Sequence, residues 1–157
     1  MQGIRIIAVG RLKEEYFARA QGEYIKRISR FCPIDIKEIP GERLPDDPSP
    51  AQIAAALKKE AAAVRGQIPP GYAAAALCVE GKSYDSAGFA SLLTGEAKSR
   101  IAFIVGSSYG LDMELEACAD HRISMSLMTF PHHLARIMLL EQIYRGYMID
   151  SGGRYHK

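Results

Sequence analysis

Hydrophobic and polar positions along this chain follow two repeat lengths, and each change of repeat marks a new element. Residues 4–10, IRIIAVG, form an apolar, β-branched run closed by glycine, the composition of a strand buried on both faces. From Leu12 the spacing becomes four: Leu12, Tyr16, Ala20, Tyr24 and Ile28 fall along one side of a helix expected to end near Phe31. In PIDIKEI, Ile34 and Ile36 alternate with charge, which predicts a second strand. PGERLPDDPSP carries four prolines in eleven residues and reads as a loop. It ends in a helix start, with Ser49 as N-cap, Pro50 at the first helical position and Gln52 where a capping box takes Glu or Gln. The helix runs through Arg65 on Ile53, Leu57, Ala61 and Val64, and GQIPPG stops it.

The second half repeats this order. AAAALCVEG at 73–81 reads as a strand, followed by a short helix carrying Phe89, Leu92 and Leu93. RIAFIVG at 100–106 is the most strand-like run of all. SSYGLDMELEACAD is a loop entering a short helix, RISMSLMTF at 122–130 a further strand, and 132–149 the last helix. Strands alternating with helices predict an α/β fold: a parallel sheet of five to six strands with helices on both faces. No linker divides it, so residues 1–157 form one domain. In open parallel sheets ligands bind beyond the carboxyl ends of the strands. If the strands are neighbours, the loops at 77–81, 106–110 and 125–131 converge on one pocket.

Composition narrows the class. With 48% hydrophobic and 24% charged residues the chain is an ordinary globular one, not a disordered segment. No apolar run reaches the ~20 residues of a membrane span, and MQGIRIIAVGRLKEE lacks a signal peptide's layout, which predicts a cytoplasmic protein without a membrane partner. Cys32, Cys78 and Cys118 are odd in number and match no metal spacing, the expectation for buried thiols in a reducing compartment. A net charge of +2 does not by itself mark a nucleic-acid binder. Basic residues do concentrate between Arg11 and Arg30, and again in the tail GGRYHK.

Candidate chemistry is selective about ligand charge. EGKS at 80–83 fails as a phosphate loop because Ala76 stands where glycine is needed. GSSYG at 106–110 offers backbone amides, but Asp112 and Glu114 follow it and repel an anion, which favours a neutral or cationic ligand. His132 and His133 point about 100° apart on a helix and have no Cys or carboxylate at ligand spacing, so no metal is expected. No GxSxG marks a nucleophile. The last helix, interrupted only by Arg136, Glu141, Gln142 and Arg145, is either internal core or a homodimer interface, and the interface reading is preferred.

The combination FIVGSSYGLD, SLMTFPHHLARIMLLEQIYRGYMI and the terminal YHK resembles the RlmH (YbeA) family of SPOUT-class RNA methyltransferases, and the resemblance extends from IRIIAVGRLKEEY through ALCVEGKSYDS to the end. It implies a single SPOUT domain with a C-terminal trefoil knot, a homodimer, and methyl transfer from S-adenosylmethionine to N3 of a pseudouridine in 23S ribosomal RNA, on the assembled ribosome. Carried over residue by residue, it implies a cofactor pocket of Leu77, Gly106, Met125, Ser126, Leu127, Met128, Thr129 and Phe130. His132, Arg136, Tyr155 and His156 fall on substrate-facing positions, Arg136 as a contact to RNA phosphate and His156 or Tyr155 as groups that orient the base or remove its proton. Ser107 departs from the family's second glycine, and His133 stands at a position the family varies. Two rivals remain. One is a flavodoxin-like nucleotide-binding protein, which the acids after GSSYG disfavour. The other is a non-catalytic ribosome-binding factor that keeps the SPOUT fold.

Overall fold

The central strands divide their side chains between two cores, as period-two geometry requires. Ile4, Ile6 and Ala8 of the first strand join one buried cluster while Ile7 and Val9 join the other, and the fourth strand splits Ile101, Phe103 and Val105 from Ala102 and Ile104 in the same way. The computed structural model describes residues 3–95 and 100–155. Its elements run β1 (Gly3–Val9), α1 (Glu15–Ile28), β2 (Ile34–Ile39), α2 (Pro50–Arg65), β3 (Ala73–Ser83), α3 (Ser86–Thr94), β4 (Arg100–Val105), α4 (Met113–Cys118), β5 (His121–Ser124) and α5 (His132–Asp150). The sheet order is β2-β1-β4-β3-β5 and every pairing is parallel. One face buries Ile28 of α1, Phe89 and Leu93 of α3, and Leu139, Leu140, Ile143 and Tyr147 of α5. The other buries Ala61 and Val64 of α2 and Leu115 of α4. Side chains of this size each contribute about 1.5–3 kcal/mol on full burial, so the two clusters dominate the stability of the fold.

The helix start read from the sequence is present in full. The Ser49 hydroxyl accepts from the Gln52 amide at 3.2 Å, and the Gln52 side chain accepts from the Ser49 amide at 2.9 Å. Ser49→Ala removes one partner of that pair and lowers stability by ~1 kcal/mol, measurable as a shift in the urea midpoint with unchanged slope.

Three expectations change. RISMSLMTF is not one strand: β5 stops at Ser124, and residues 125–130 leave the sheet. Apolar alternation continues past that point, but among the described residues no strand lies alongside to receive its hydrogen bonds, and the Ser126 hydroxyl instead accepts from the Met128 amide at 3.0 Å, bending the chain. Cys118 is exposed rather than buried, Cys78 is intermediate, and only Cys32 lies in the core. Helix α1 ends at Ile28, three residues short of Phe31, which stacks on Tyr147 of α5 at a ring separation of 5.5 Å.

The β3–β5 ladder contains the most unusual stretch of backbone. Leu77 and Lys82 both pair with Ile123, so residues 78–81 form a bulge. At Gly81 the chain comes so close to β5 that an added Cβ would lie 2.6 Å from both the N and C atoms of Ile123. Only glycine permits that approach.

Candidate functional site

Because β4, β3 and β5 are neighbours, the loops at their carboxyl ends do converge, and they enclose a cavity of about 710 Å³. That volume lies in the range of small-molecule and cofactor sites. Leu77 contributes from β3 and Gly106 from β4, while Met125, Ser126, Met128, Thr129 and Phe130 form the third wall. Leu127 does not line it; its side chain points outward at 85% exposure. His132 closes the cavity at the start of α5, with His133 beside it at a ring separation of 3.9 Å.

The loop after β4 is shaped by glycine at two positions. A Cβ on Gly106 would fall on the Gly110 carbonyl, and Gly110 itself has φ +83°. The positive φ falls on Gly110, and Ser107 is tied down from behind: its hydroxyl donates to Glu60 of α2 at 3.4 Å. Glu60 is buried and also accepts from the Glu42 amide at 3.0 Å. Asp112 caps the Leu115 amide at 3.1 Å, so a carboxylate already holds the start of α4.

The β3 bulge adds residues that no sequence spacing indicated. Cys78, Glu80 and Glu116 line the cavity with ligating atoms all within 4.8 Å of one another. Arg122 stands next to them, its Nη2 3.3 Å from Glu116 Oε2. Burial pushes the Cys78 thiol up, Glu116 adds to that, and Arg122 opposes it. Glu80 and Glu116 are the only acids of the lining, and among the described residues no Lys or Arg lines it. The cavity therefore suits a ligand with cationic character and apolar surface.

His132 is held below its ordinary range, first by burial, then by the neighbouring His133 and Arg136, with Glu14 opposing. A neutral imidazole accepts a proton at neutral pH. Glu14 also approaches His133, Oε2 lying 3.7 Å from Nδ1.

The other two described residues expected at the substrate face are elsewhere. Arg136 is wholly buried and contacts no solvent: Nη1 donates to Glu38 Oε1 at 2.7 Å and to Gln21 Oε1 at 3.3 Å, and Nη2 donates to the Gly10 carbonyl at 2.9 Å. A guanidinium with its donors turned inward cannot meet an RNA phosphate, so that expectation is corrected. Tyr155 does not line the cavity either. Its hydroxyl donates to Glu141 at 3.2 Å, with Arg145 4.7 Å from its ring centroid and Tyr144 at 4.8 Å between rings. His156 lies outside the described residues.

Comparison with known proteins follows the same lines. A family model described as predicted SPOUT methyltransferase matches residues 1–156. A protein from Ruminiclostridium cellulolyticum named ribosomal RNA large subunit methyltransferase H is 43% identical, over 98% of this chain and 99% of its own. Proteins of the same name from Streptococcus pyogenes serotype M5 and Clostridium kluyveri are 41% and 43% identical over the same shares. Among solved structures, a probable methylase family protein from Haemophilus influenzae shares the fold at a TM-score of 0.55 and 10% identity, covering 99% of this chain and 70% of that one. A sheet whose last three neighbouring strands wall one cavity, and a family model spanning nearly every residue, agree: the chain belongs to the SPOUT methyltransferase family.

Proposed function

We propose that this protein uses S-adenosylmethionine to methylate large-subunit ribosomal RNA, at N3 of a pseudouridine in 23S RNA on the assembled ribosome, and that it works in the cytoplasm as a homodimer. The observation that carries the cofactor is the charge of the cavity: Glu80 and Glu116 on a largely apolar wall, without Lys or Arg among the described lining residues. S-adenosylmethionine bears a sulfonium and an ammonium, and when bound it supplies an electrophilic methyl group. Leu77 and Phe130 would cover apolar surface, and the backbone of Gly106 and of residues 125–130 would hydrogen-bond the adenine. The RNA substrate rests on the relatives' names and on the resemblance of the terminal residues.

The chain's own residues have two tasks. The cavity walls hold donor and acceptor in line, an arrangement that supplies roughly 7–11 kcal/mol of a barrier of this kind. His132 receives the N3 proton on its imidazole, since a protonated imide nitrogen is a poor nucleophile. A base in a single-stranded loop enters such a cavity without opening a duplex.

Two features support the homodimer. Tyr155 folds back onto α5 of its own chain, away from the cavity, so Tyr155 does not complete the cavity of its own subunit. Leu127, Met128, Tyr109 and Leu134 also leave apolar surface exposed around the cavity mouth. The trefoil knot belongs to the same reading, supported by a connection from β4 to β5 that crosses over β3, the strand between them.

Incubation with methyl-labelled S-adenosylmethionine and ribosomes lacking the modification tests the proposal, with free ribosomal RNA in parallel. The expected result is label at one pseudouridine of the large-subunit RNA, from ribosomes only. Cofactor binding without transfer to RNA would remove the substrate, and no cofactor binding would leave a ribosome-binding factor.

A further inference from the structure

Arg136 and His132 are one turn apart on α5, so both side chains leave the same face of the helix. They meet at a single residue, Gly10. Arg136 donates to the Gly10 carbonyl at 2.9 Å, and His132 Nε2 lies 3.4 Å from the point a Cβ on Gly10 would occupy. Gly10 has φ +103° and its amide donates to the Ile39 carbonyl at 2.7 Å, so β2 holds the same residue through the preceding peptide. The imidazole thus rests on a backbone segment that Arg136 fixes.

The charge arrangement around this contact is uneven. Glu38 pairs with Arg136 at 2.7 Å, but its side chain is 31% exposed against 1% for the arginine. Water screens the anion more than the cation. Nε of Arg136 is buried with no hydrogen-bond partner among the described residues. The remaining charged or titratable groups acting on His132 are His133 on the same helix and Glu14 from the segment before α1.

We infer that Arg136 is the positioning residue for His132: it locks the Gly10 peptide against the imidazole and leaves an incompletely neutralised positive charge one turn beneath it. The role in catalysis rests on the reading of His132 as the group that receives the N3 proton. With the imidazole fixed and its protonated form disfavoured, His132 meets the substrate as a free base.

The test follows the His132 Cε1 proton by NMR titration of the full chain, with kcat measured against pH in parallel. Arg136→Met moves the His132 midpoint upward and carries the acid limb of kcat with it. Arg136→Lys returns the midpoint toward the parent value but not the full kcat, because one ammonium cannot span Gly10 and Glu38 together. Glu38→Gln keeps the shape of the partner and removes its charge, so it moves the midpoint downward. That variant decides the matter if Arg136→Met does not fold. A midpoint that stays put in the folded variants, or moves opposite to these directions, overturns the inference. Midpoints that move as stated while the acid limb of kcat stays fixed uphold the positioning of His132 and remove it as the proton acceptor.

Discussion

His132→Ala lowers the single-turnover rate of methyl transfer by about 10²–10⁴-fold, the usual contribution of a positioned general base. Cofactor affinity stays within about tenfold of the parent, or 1.4 kcal/mol, because His132 is one side chain in a cavity held by three loops. Rapid-quench kinetics and calorimetric binding separate the two quantities. A variant that turns over within a factor of ten of the parent takes His132 out of proton transfer. The parent's pH profile is part of the same expectation. Burial, His133 and Arg136 hold His132 below the ordinary value of 6.5, so the acid limb of turnover lies below that pH. Stability has the same sign. Below the ordinary range an unfolded His132 binds a proton that the folded one resists, so folding weakens as pH falls and recovers as it rises. His132→Ala flattens this dependence, which thermal unfolding across the acid range reads directly.

Gly81→Ala destabilises the fold by ~1–3 kcal/mol and weakens cofactor binding about tenfold. The added methyl meets the Ile123 backbone at 2.6 Å, and backbone cannot rotate away as a side chain does. Strands β3 and β5 must separate, and that moves Cys78 and Glu80 on one wall and Met125 on another. Gly22→Ala is the matched control. Gly22 lies inside α1 with nothing within 4 Å of a new Cβ, so there the substitution stabilises by ~0.5–1 kcal/mol through helix propensity. Urea unfolding of both variants, with binding measured for Gly81→Ala, checks the pair. If Gly81→Ala binds as the parent does, the bulge does not shape the cavity.

The sequence made elements legible where local chemistry alone decides them. Ser49, Pro50 and Gln52 announced the start of α2 because a capping box is complete within four residues. Glycine-closed apolar runs announce the strands, whose order in the sheet brings the loops at 77–81, 106–110 and 125–131 together, while the resemblance singles out Leu77, Gly106 and residues 125–130 within them. What stayed hidden depends on partners far along the chain. Arg136 reads as a break in an apolar helix face because periodicity cannot distinguish a polar residue facing water from one facing the Gly10 carbonyl just after β1. Glu80 and Glu116 are 36 positions apart in the sequence, and only the register shift of β3 against Ile123 brings them together. Leu127 belongs to the contiguous run that the resemblance assigns to the pocket, but the turn at Ser126 points it outward. Tyr155 finds Glu141, fourteen residues back, a local contact the tail's composition did not signal.

The hydrogen bonds of Arg136 join residues 126, 115 and 98 positions apart in the chain. Such contacts close only after most of the loop entropy between them has been spent, and chains that depend on them fold slowly. The His132 end of helix α5 is therefore expected to dock on Gly10 late in folding. Until it docks, His132 has no Gly10 to rest on and the cavity lacks its final wall, so the ability to bind a ligand arises in the same late step.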